Sequence, residues 1–366
     1  MRTDKEDGTK STGWNDRLSE SLIRSRRVDR SGMLKLVEGF PDQCRKALEI
    51  AEAFAPVPAA VQNVVVLGMG GSAVGGDLLR VLLEAESGAV PVVVTRDYQC
   101  PAFVGPQTLC VAASYSGGTE ETLAATHDAL ARGARLLPIT TGGALAALAE
   151  ERQISCVRIP GGQPPRSALG YLFLPAIVAL SRMGLCRDFS ADIRESIERL
   201  DEVAAACGSE VALDQNEAVQ IARRLRRSLP VFYGSSPVTG IAAFRWKCQF
   251  NENAKMHAIW NNLPELDHNE ICGWRSARQN RRLRWVFIRD RQESPRLAQR
   301  LEITRSILAA ETAGHTDIWG QGASLLSRTL TAMLLGDFVS TYAAILNRVD
   351  PTDIREIDVL KEELSR

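Results

Sequence analysis

The chain has 366 residues, 45% hydrophobic and 24% charged, which is globular composition at a length that suits two domains. Its 44 basic and 44 acidic residues cancel to a formal net charge of zero, which removes the electrostatic case for nucleic acid or an anionic membrane as partner. Cys44, Cys100, Cys110, Cys156, Cys186, Cys207, Cys248 and Cys272 form no CxxC pair and none has zinc-ligand spacing to a histidine, so buried thiols in a cytoplasmic protein and no metal are expected.

Residues 1–40 read as a polar N-terminal tail or helix without the apolar h-region of a secretory signal. Short β-branched runs then alternate with helical stretches. Strands are predicted over Asn63–Leu67, Val90–Thr95, Thr108–Ala113, Arg135–Ile139 and Ile154–Ile159, and helices over Ser72–Glu86, Thr119–Arg132 and Ala144–Arg152. Continuous apolar strands alternating with helices imply a doubly wound parallel α/β sheet covered on both faces, over residues 45 to 160. A Pro/Gly loop follows at Pro160–Pro165, then two helices to residue 206. The run Tyr171–Leu180 contains Pro175 and falls short of the roughly 20 residues of a bilayer span. A second α/β pattern starts near residue 214, with strands at Leu229–Tyr233 and Arg284–Ile288, a helix from Thr239 and helices to the C-terminus. Val66–Gly75 and Val231–Gly240 share the order apolar strand, Gly, Ser, helix start, a faint internal repeat. The basic stretch Arg275–Arg284 has no interleaved aromatics and reads as a solvated loop.

Two loops invite a ligand. Gly68-Met-Gly-Gly-Ser-Ala-Val-Gly-Gly76 joins a strand to a helix, and Gly70, Gly71 and Ser72 would offer backbone amides and a hydroxyl to an anion at a helix N-terminus. No Gly-Lys-Ser/Thr follows, so it is not a P-loop. It fits a dinucleotide fingerprint only loosely, since the expected acid arrives late, at Asp97. The bland alternative is a tight turn packing a helix on a strand. In the second loop, Ala113-Ser-Tyr-Ser-Gly-Gly-Thr-Glu-Glu121, the hydroxyls of Ser114, Ser116 and Thr119 surround one turn. Together with helix N-terminal amides they make a neutral phosphate cradle; the plain alternative is that Thr119 serves only as an N-cap.

The pair strand–GMGGSAVGG–helix and strand–SYSGGTEET–helix resembles SIS (sugar isomerase) domains, which bind phosphosugars. Further on, Phe244–Lys255 ends in NENAK, and Pro264-Glu-Leu-Asp-His-Asn-Glu270 follows. With Leu335-Gly-Asp-Phe-Val-Ser340 and Val349-Asp-Pro351, these segments resemble the bifunctional phosphoglucose/phosphomannose isomerase family over most of the chain after residue 40. The resemblance implies two SIS-type, flavodoxin-like α/β domains, here 41–206 and 207–366. It implies Glu252 as catalytic base, His268 as the group that opens the sugar ring, and Arg166 as the cation beside the enediolate. The chemistry suits these types: one carboxylate can carry the C1/C2 proton, imidazole suits ring opening near pH 7, and a cation stabilises an enediolate. Taken singly, each residue also has a plain reading, a solvated helix-end carboxylate, a surface histidine and a structural arginine.

The family further implies a phosphorylated hexose as substrate, no cofactor, and a homodimer in which the histidine is supplied by the second subunit. In conventional phosphoglucose isomerases a Gln and a Lys seven residues apart complete the site. The bifunctional enzymes tend to have a Thr in place of that Gln. Gln321 and Arg328 keep the spacing. Through the resemblance, Gln321 argues against mannose activity, and Arg328 substitutes a guanidinium that is a poor proton carrier. His127 and His315 are expected to be structural, in a helix and a loop, and His257 has no assigned role. The rival readings are a noncatalytic SIS-domain phosphosugar-binding regulator, whose DNA-binding domain the first 40 residues do not provide, and a nicotinamide-dependent dehydrogenase.

Overall fold

The computed structural model describes residues 27–57, 60–235, 238–279, 282–309 and 315–364. The chain forms two wholly parallel sheets. The first contains β1 (Asn63–Leu67), β2 (Val92–Thr95), β3 (Thr108–Ala113), β4 (Arg135–Thr140) and β5 (Val157–Arg158) in the order β2-β1-β3-β4-β5. The second contains β6 (Leu229–Ser235), β7 (Ile259–Leu263), β8 (Leu283–Arg289) and β9 (His315–Trp319) in the order β7-β6-β8-β9. The central strands read as unbroken apolar runs because both faces are covered, and all six residues of β3 are buried.

Both sheets begin with the same crossover: the first strand lies between the second and the third. The faint repeat is therefore structural. Val66–Gly75 runs from β1 into α3 (Gly70–Glu84), and Val231–Gly240 runs from β6 into α9 (Val238–Glu252). The other helices are α1 (Met33–Glu38), α2 (Phe40–Ala53), α4 (Glu120–Ala131), α5 (Gly143–Glu151), α6 (Leu169–Arg182), α7 (Ser190–Cys207), α8 (Glu217–Leu225), α10 (Pro295–Ala309), α11 (Leu325–Asn347) and α12 (Arg355–Leu364). One apolar core runs through both halves, from Val64 and Val111 to Phe232, Val286 and α11, with smaller clusters on the outer face of each sheet. Helix α11 packs against α7, α8 and α9 and so ties the halves together.

Several expectations are corrected. Residues 33–40 belong to the core rather than to a tail: Met33, Leu34, Val37 and Phe40 are buried, and the Asp29 carboxylate accepts from the Met33 and Leu34 amides at 2.7 and 2.8 Å. Residues 1–26 lie outside the described residues. Strands β7 (IWNNL) and β9 (HTDIW) escaped notice because they are edge strands, half exposed and too polar to read as apolar runs. His315 therefore sits in a strand. The segment 275–284 is not one loop: a 3-10 helix, Glu270–Gln279, opens it and β8 closes it. Helix α11, not Tyr171–Leu180, is the longest apolar element, long and apolar enough by composition to cross a bilayer, yet buried in the protein. Its Arg328, Thr331, Asp337, Ser340 and Thr341 broke the pattern in sequence, and all of them are buried.

Candidate active site

In a doubly wound sheet, ligands bind outside the carboxyl ends of the strands where the strand order reverses. In the first sheet that crevice lies between β1 and β3, and the two Gly/Ser loops follow these two strands. They press on one another: a Cβ on Gly68 would stand 3.0 Å from the Ala113 carbonyl oxygen. Gly70 opens α3 at φ +51°, a left-handed conformation that glycine adopts at little cost, and no atom crowds its vacant Cβ position. Ser72 lies buried in the first turn of α3. In the second loop the Thr119 hydroxyl does not cap α4. It pairs instead with Ser114 Oγ at 3.0 Å, which also accepts from the Gly117 amide at 3.1 Å. Ser114 is thus a buried brace, whereas Ser116 is exposed, with its oxygen 3.3 Å from the Gly118 amide. The loop's tightest point is Gly117, at φ +70°, where any Cβ would run into the Gly142 carbonyl.

Pro160–Pro165 leads into a single 3-10 turn, Pro165–Ser167, that carries Arg166. The glycine loop packs directly on this turn: a Cβ on Gly71 would lie 3.0 Å from the Pro165 oxygen and 3.2 Å from the Arg166 Cα. The Arg166 guanidinium is 4% exposed and reaches into the second half of the chain. Its Nε donates to Asn253 Oδ1 at 2.7 Å, Nη2 to the Pro351 carbonyl at 2.5 Å, and Nη1 lies 3.5 Å from Glu252 Oε2. Burial pushes the guanidinium below its ordinary pKa and Glu252 opposes that shift, while Arg245 adds to it. An arginine so placed remains a permanent cation. Glu252 is the last residue of α9, and its side chain is 29% exposed, open to a substrate arriving from the crevice.

The other expected residues are not joined to this cluster. His268 ends a 3-10 turn, Glu265–His268, and is exposed, with no hydrogen bond or ion pair among the described residues. Its neighbours are anchored: Asp267 accepts from Arg300 and Thr304, and Glu270 from Asn261 at 2.6 Å and from the Tyr233 hydroxyl. The turn thus presents the imidazole outward from a fixed base. Gln321 is exposed and is held through its backbone, its amide donating to Thr331 Oγ1 at 2.8 Å. Arg328 is buried at the end of the second sheet, with Nε donating to Asp290 at 2.7 Å, Nη2 to Gln292 at 2.9 Å, and Nη1 to the Ala323 carbonyl. It buttresses the loop after β8, and no contact joins it to Glu252 or Arg166 among the described residues.

A family model described as the bacterial phospho-glucose isomerase C-terminal SIS domain matches residues 214–364. A bifunctional phosphoglucose/phosphomannose isomerase of Caldicellulosiruptor bescii is 40% identical over 336 residues, covering 91% of this chain and 99% of the relative. One from Thermoplasma acidophilum is 36% identical, covering 83% of this chain and 90% of the relative. The chain belongs to the bifunctional phosphoglucose/phosphomannose isomerase family. A structure described as a glucose-6-phosphate isomerase like protein from Thermus thermophilus superposes with a TM-score of 0.58 at 21% identity, covering 93% of this chain and 98% of that one. It supports the fold.

Within this family member, sequence reasoning passed over the groups that aim Arg166. Asn253 is fully buried, and its Nδ2 donates to Ser340 Oγ at 3.0 Å, which fixes the Oδ1 that receives Arg166. Arg245 on α9 donates to the Arg166 carbonyl at 3.0 Å and forms a buried two-pronged pair with Asp337 on α11. Gln249 donates to the same carboxylate at 2.7 Å. A signal for Asp337 was available, since a carboxylate inside a long apolar helix needs a buried partner.

Proposed function

We propose that this chain is an aldose–ketose isomerase of phosphorylated hexoses, interconverting glucose 6-phosphate and mannose 6-phosphate with fructose 6-phosphate through a cis-enediolate. The observation that carries the reading is the packing of the glycine loop on the Arg166 turn while Arg166 reaches Glu252. A phosphate cradle, a buried cation and an accessible carboxylate, distant in sequence, meet at one crevice.

The Ser116 and Thr119 hydroxyls and the amides of the two loops hold the phosphate. The Glu252 carboxylate removes the proton from C2 of the open-chain aldose and returns it to C1, reversing for the ketose. Negative charge grows on the C1 and C2 oxygens, and Arg166, held rigid by three acceptors, stabilises it without reorganising. Glucose and mannose phosphates differ only at C2 and share one enediolate with fructose 6-phosphate; since they arise by protonation of opposite faces of C2, the enediolate must turn about its C2–C3 bond for the one base to serve both epimers. The relatives are named for both activities, which supports mannose 6-phosphate as a substrate even with Gln321 in the chain. His268, outward on its anchored turn, opens the ring in the site of a second copy within a homodimer. The regulator reading is not favoured beside relatives named as isomerases.

The test is incubation with fructose 6-phosphate in heavy water without added cofactor. Deuterium should appear at C2 of both glucose 6-phosphate and mannose 6-phosphate. Binding of fructose 6-phosphate without conversion would sink the proposal.

A further inference from the structure

Beyond the last turn of α9, the chain does something costly. Lys255 has φ +53°, in the left-handed region where glycine is the usual occupant after a helix and a lysine is strained. A glycine there would relieve the backbone; Gln153, Arg227 and Arg348 share this conformation, and what sets Lys255 apart is where its side chain reaches. What the side chain does is visible. Its Nζ folds back over the carbonyl end of α9 and donates to the Glu252 carbonyl at 2.5 Å, with the Asn253 carbonyl 3.5 Å away. It also lies 3.5 Å from the Pro351 carbonyl, the atom that receives Arg166 Nη2.

Two cations from opposite halves of the chain therefore close on one carbonyl. That carbonyl belongs to the segment leading into α12, a helix with no buried residue. Pro351 is buried and Val349 before it packs on the core, but α12 after it adds no buried anchor of its own.

We infer that Lys255 is a positioning residue for the isomerisation: its ammonium clamps the backbone of Glu252 and the Pro351 carbonyl together, fixing the base relative to Arg166. The inference rests on the isomerase reading above. Lys255 touches no reacting atom. It acts through the helix end that carries the carboxylate and through the acceptor that aims the guanidinium. Although the residue as a whole is accessible, burial of its ammonium and the nearby Arg166 charge draw its pKa below the ordinary lysine range, against Asp353, Asp350 and Glu356, which raise it. The clamp thus weakens on the alkaline side, where the ammonium loses its charge and one of its three donors.

The experiment compares Lys255→Gly and Lys255→Arg with the wild-type enzyme, in turnover of fructose 6-phosphate and in thermal melting. Lys255→Gly removes the clamp and the strain together. It should melt at or above the wild-type temperature while kcat falls about 10- to 100-fold, the scale on which misplaced catalytic groups act. KM should stay within about twofold, since the phosphate loops are untouched. Lys255→Arg should regain most of the turnover, and its alkaline fall in kcat should move to higher pH, because a guanidinium does not lose its proton there. Full activity in Lys255→Gly, or an alkaline limb unmoved in Lys255→Arg, would overturn the inference. An inactive wild-type enzyme would instead overturn the isomerase reading, and this inference with it.

Discussion

At the scale of single residues, the proposed mechanism divides labour between a group that moves a proton and groups that hold still. Glu252→Gln keeps shape and the contact to Arg166 but removes the proton acceptor. Turnover should fall by about 10²–10⁴-fold, toward the upper end because the proton is carbon-bound. Exchange of deuterium into C2 should vanish while circular dichroism and melting stay close to wild type. Near-normal turnover in the folded variant would remove Glu252 from the role. Ser116 tests the other half of the crevice. It is exposed and makes one weak contact to the Gly118 amide, so Ser116→Ala should change stability by about 1 kcal/mol or less. KM for fructose 6-phosphate should nonetheless rise, and an unchanged KM would place the phosphate elsewhere.

At the scale of elements, the turn that carries Arg166 is set from behind by two helices. Arg245 on α9 and Asp337 on α11 are 2% and 5% exposed, so neither charge has water to fall back on. Asp337→Asn strips the pair of its anion and leaves a buried cation, a change that typically costs about 3–5 kcal/mol. Because Arg245 also holds the Arg166 carbonyl, kcat should drop in whatever fraction remains folded. Urea unfolding together with turnover would show both. Equal stability would mean that the pair is dispensable. The α10–β9 contact carries a pH dependence of its own. His315 Nε2 accepts from Arg305 Nε at 2.8 Å, which requires a neutral ring. Burial, then Arg305, lowers its pKa below the ordinary 6.5, while Asp317 and Glu302 oppose this and Arg289 adds to it. The unfolded chain therefore takes up the proton first on acidification. The stabilising contribution is complete above about pH 6.5 and is lost as pH falls toward the folded pKa. Melts at pH 7.5 and 5.5 should show a smaller acid loss for His315→Gln than for wild type.

At the scale of the molecule, His268 stands apart from the crevice within one chain. Its imidazole faces outward while Glu252 and Arg166 sit at the crevice, an arrangement that a homodimer sharing its sites would complete. Mixing inactive Glu252→Gln with inactive His268→Ala should then restore part of the activity, because each heterodimer rebuilds one intact site. No recovery after subunit exchange, verified by mass, would confine the site to one chain. His268→Ala should also slow cyclic substrate more than an open-chain analogue, which separates ring opening from proton transfer.

Local pattern alone determined much of this protein. The apolar runs at 63–67 and 108–113 specified buried parallel strands, and the glycine and serine loops after them were legible as strand-to-helix turns, because both depend on residues adjacent in sequence. The end of α9 at Glu252 was legible for the same reason. Edge strands β7 and β9 were not, since half-exposed strands carry no continuous apolar run, nor was the burial of α11, whose polar residues find partners only across the fold. Which residues meet was decided by tertiary structure alone. Arg166 lies 86 residues from Glu252 and 185 from Pro351 along the chain, and no local periodicity encodes such a contact. Thr119 turned from the cap its position suggested to Ser114, a folded neighbour that outcompeted the local partner. The lysine at the end of α9 is the sharpest case, an ordinary charged residue in sequence that becomes informative only once its backbone angle and its carbonyl partners are known.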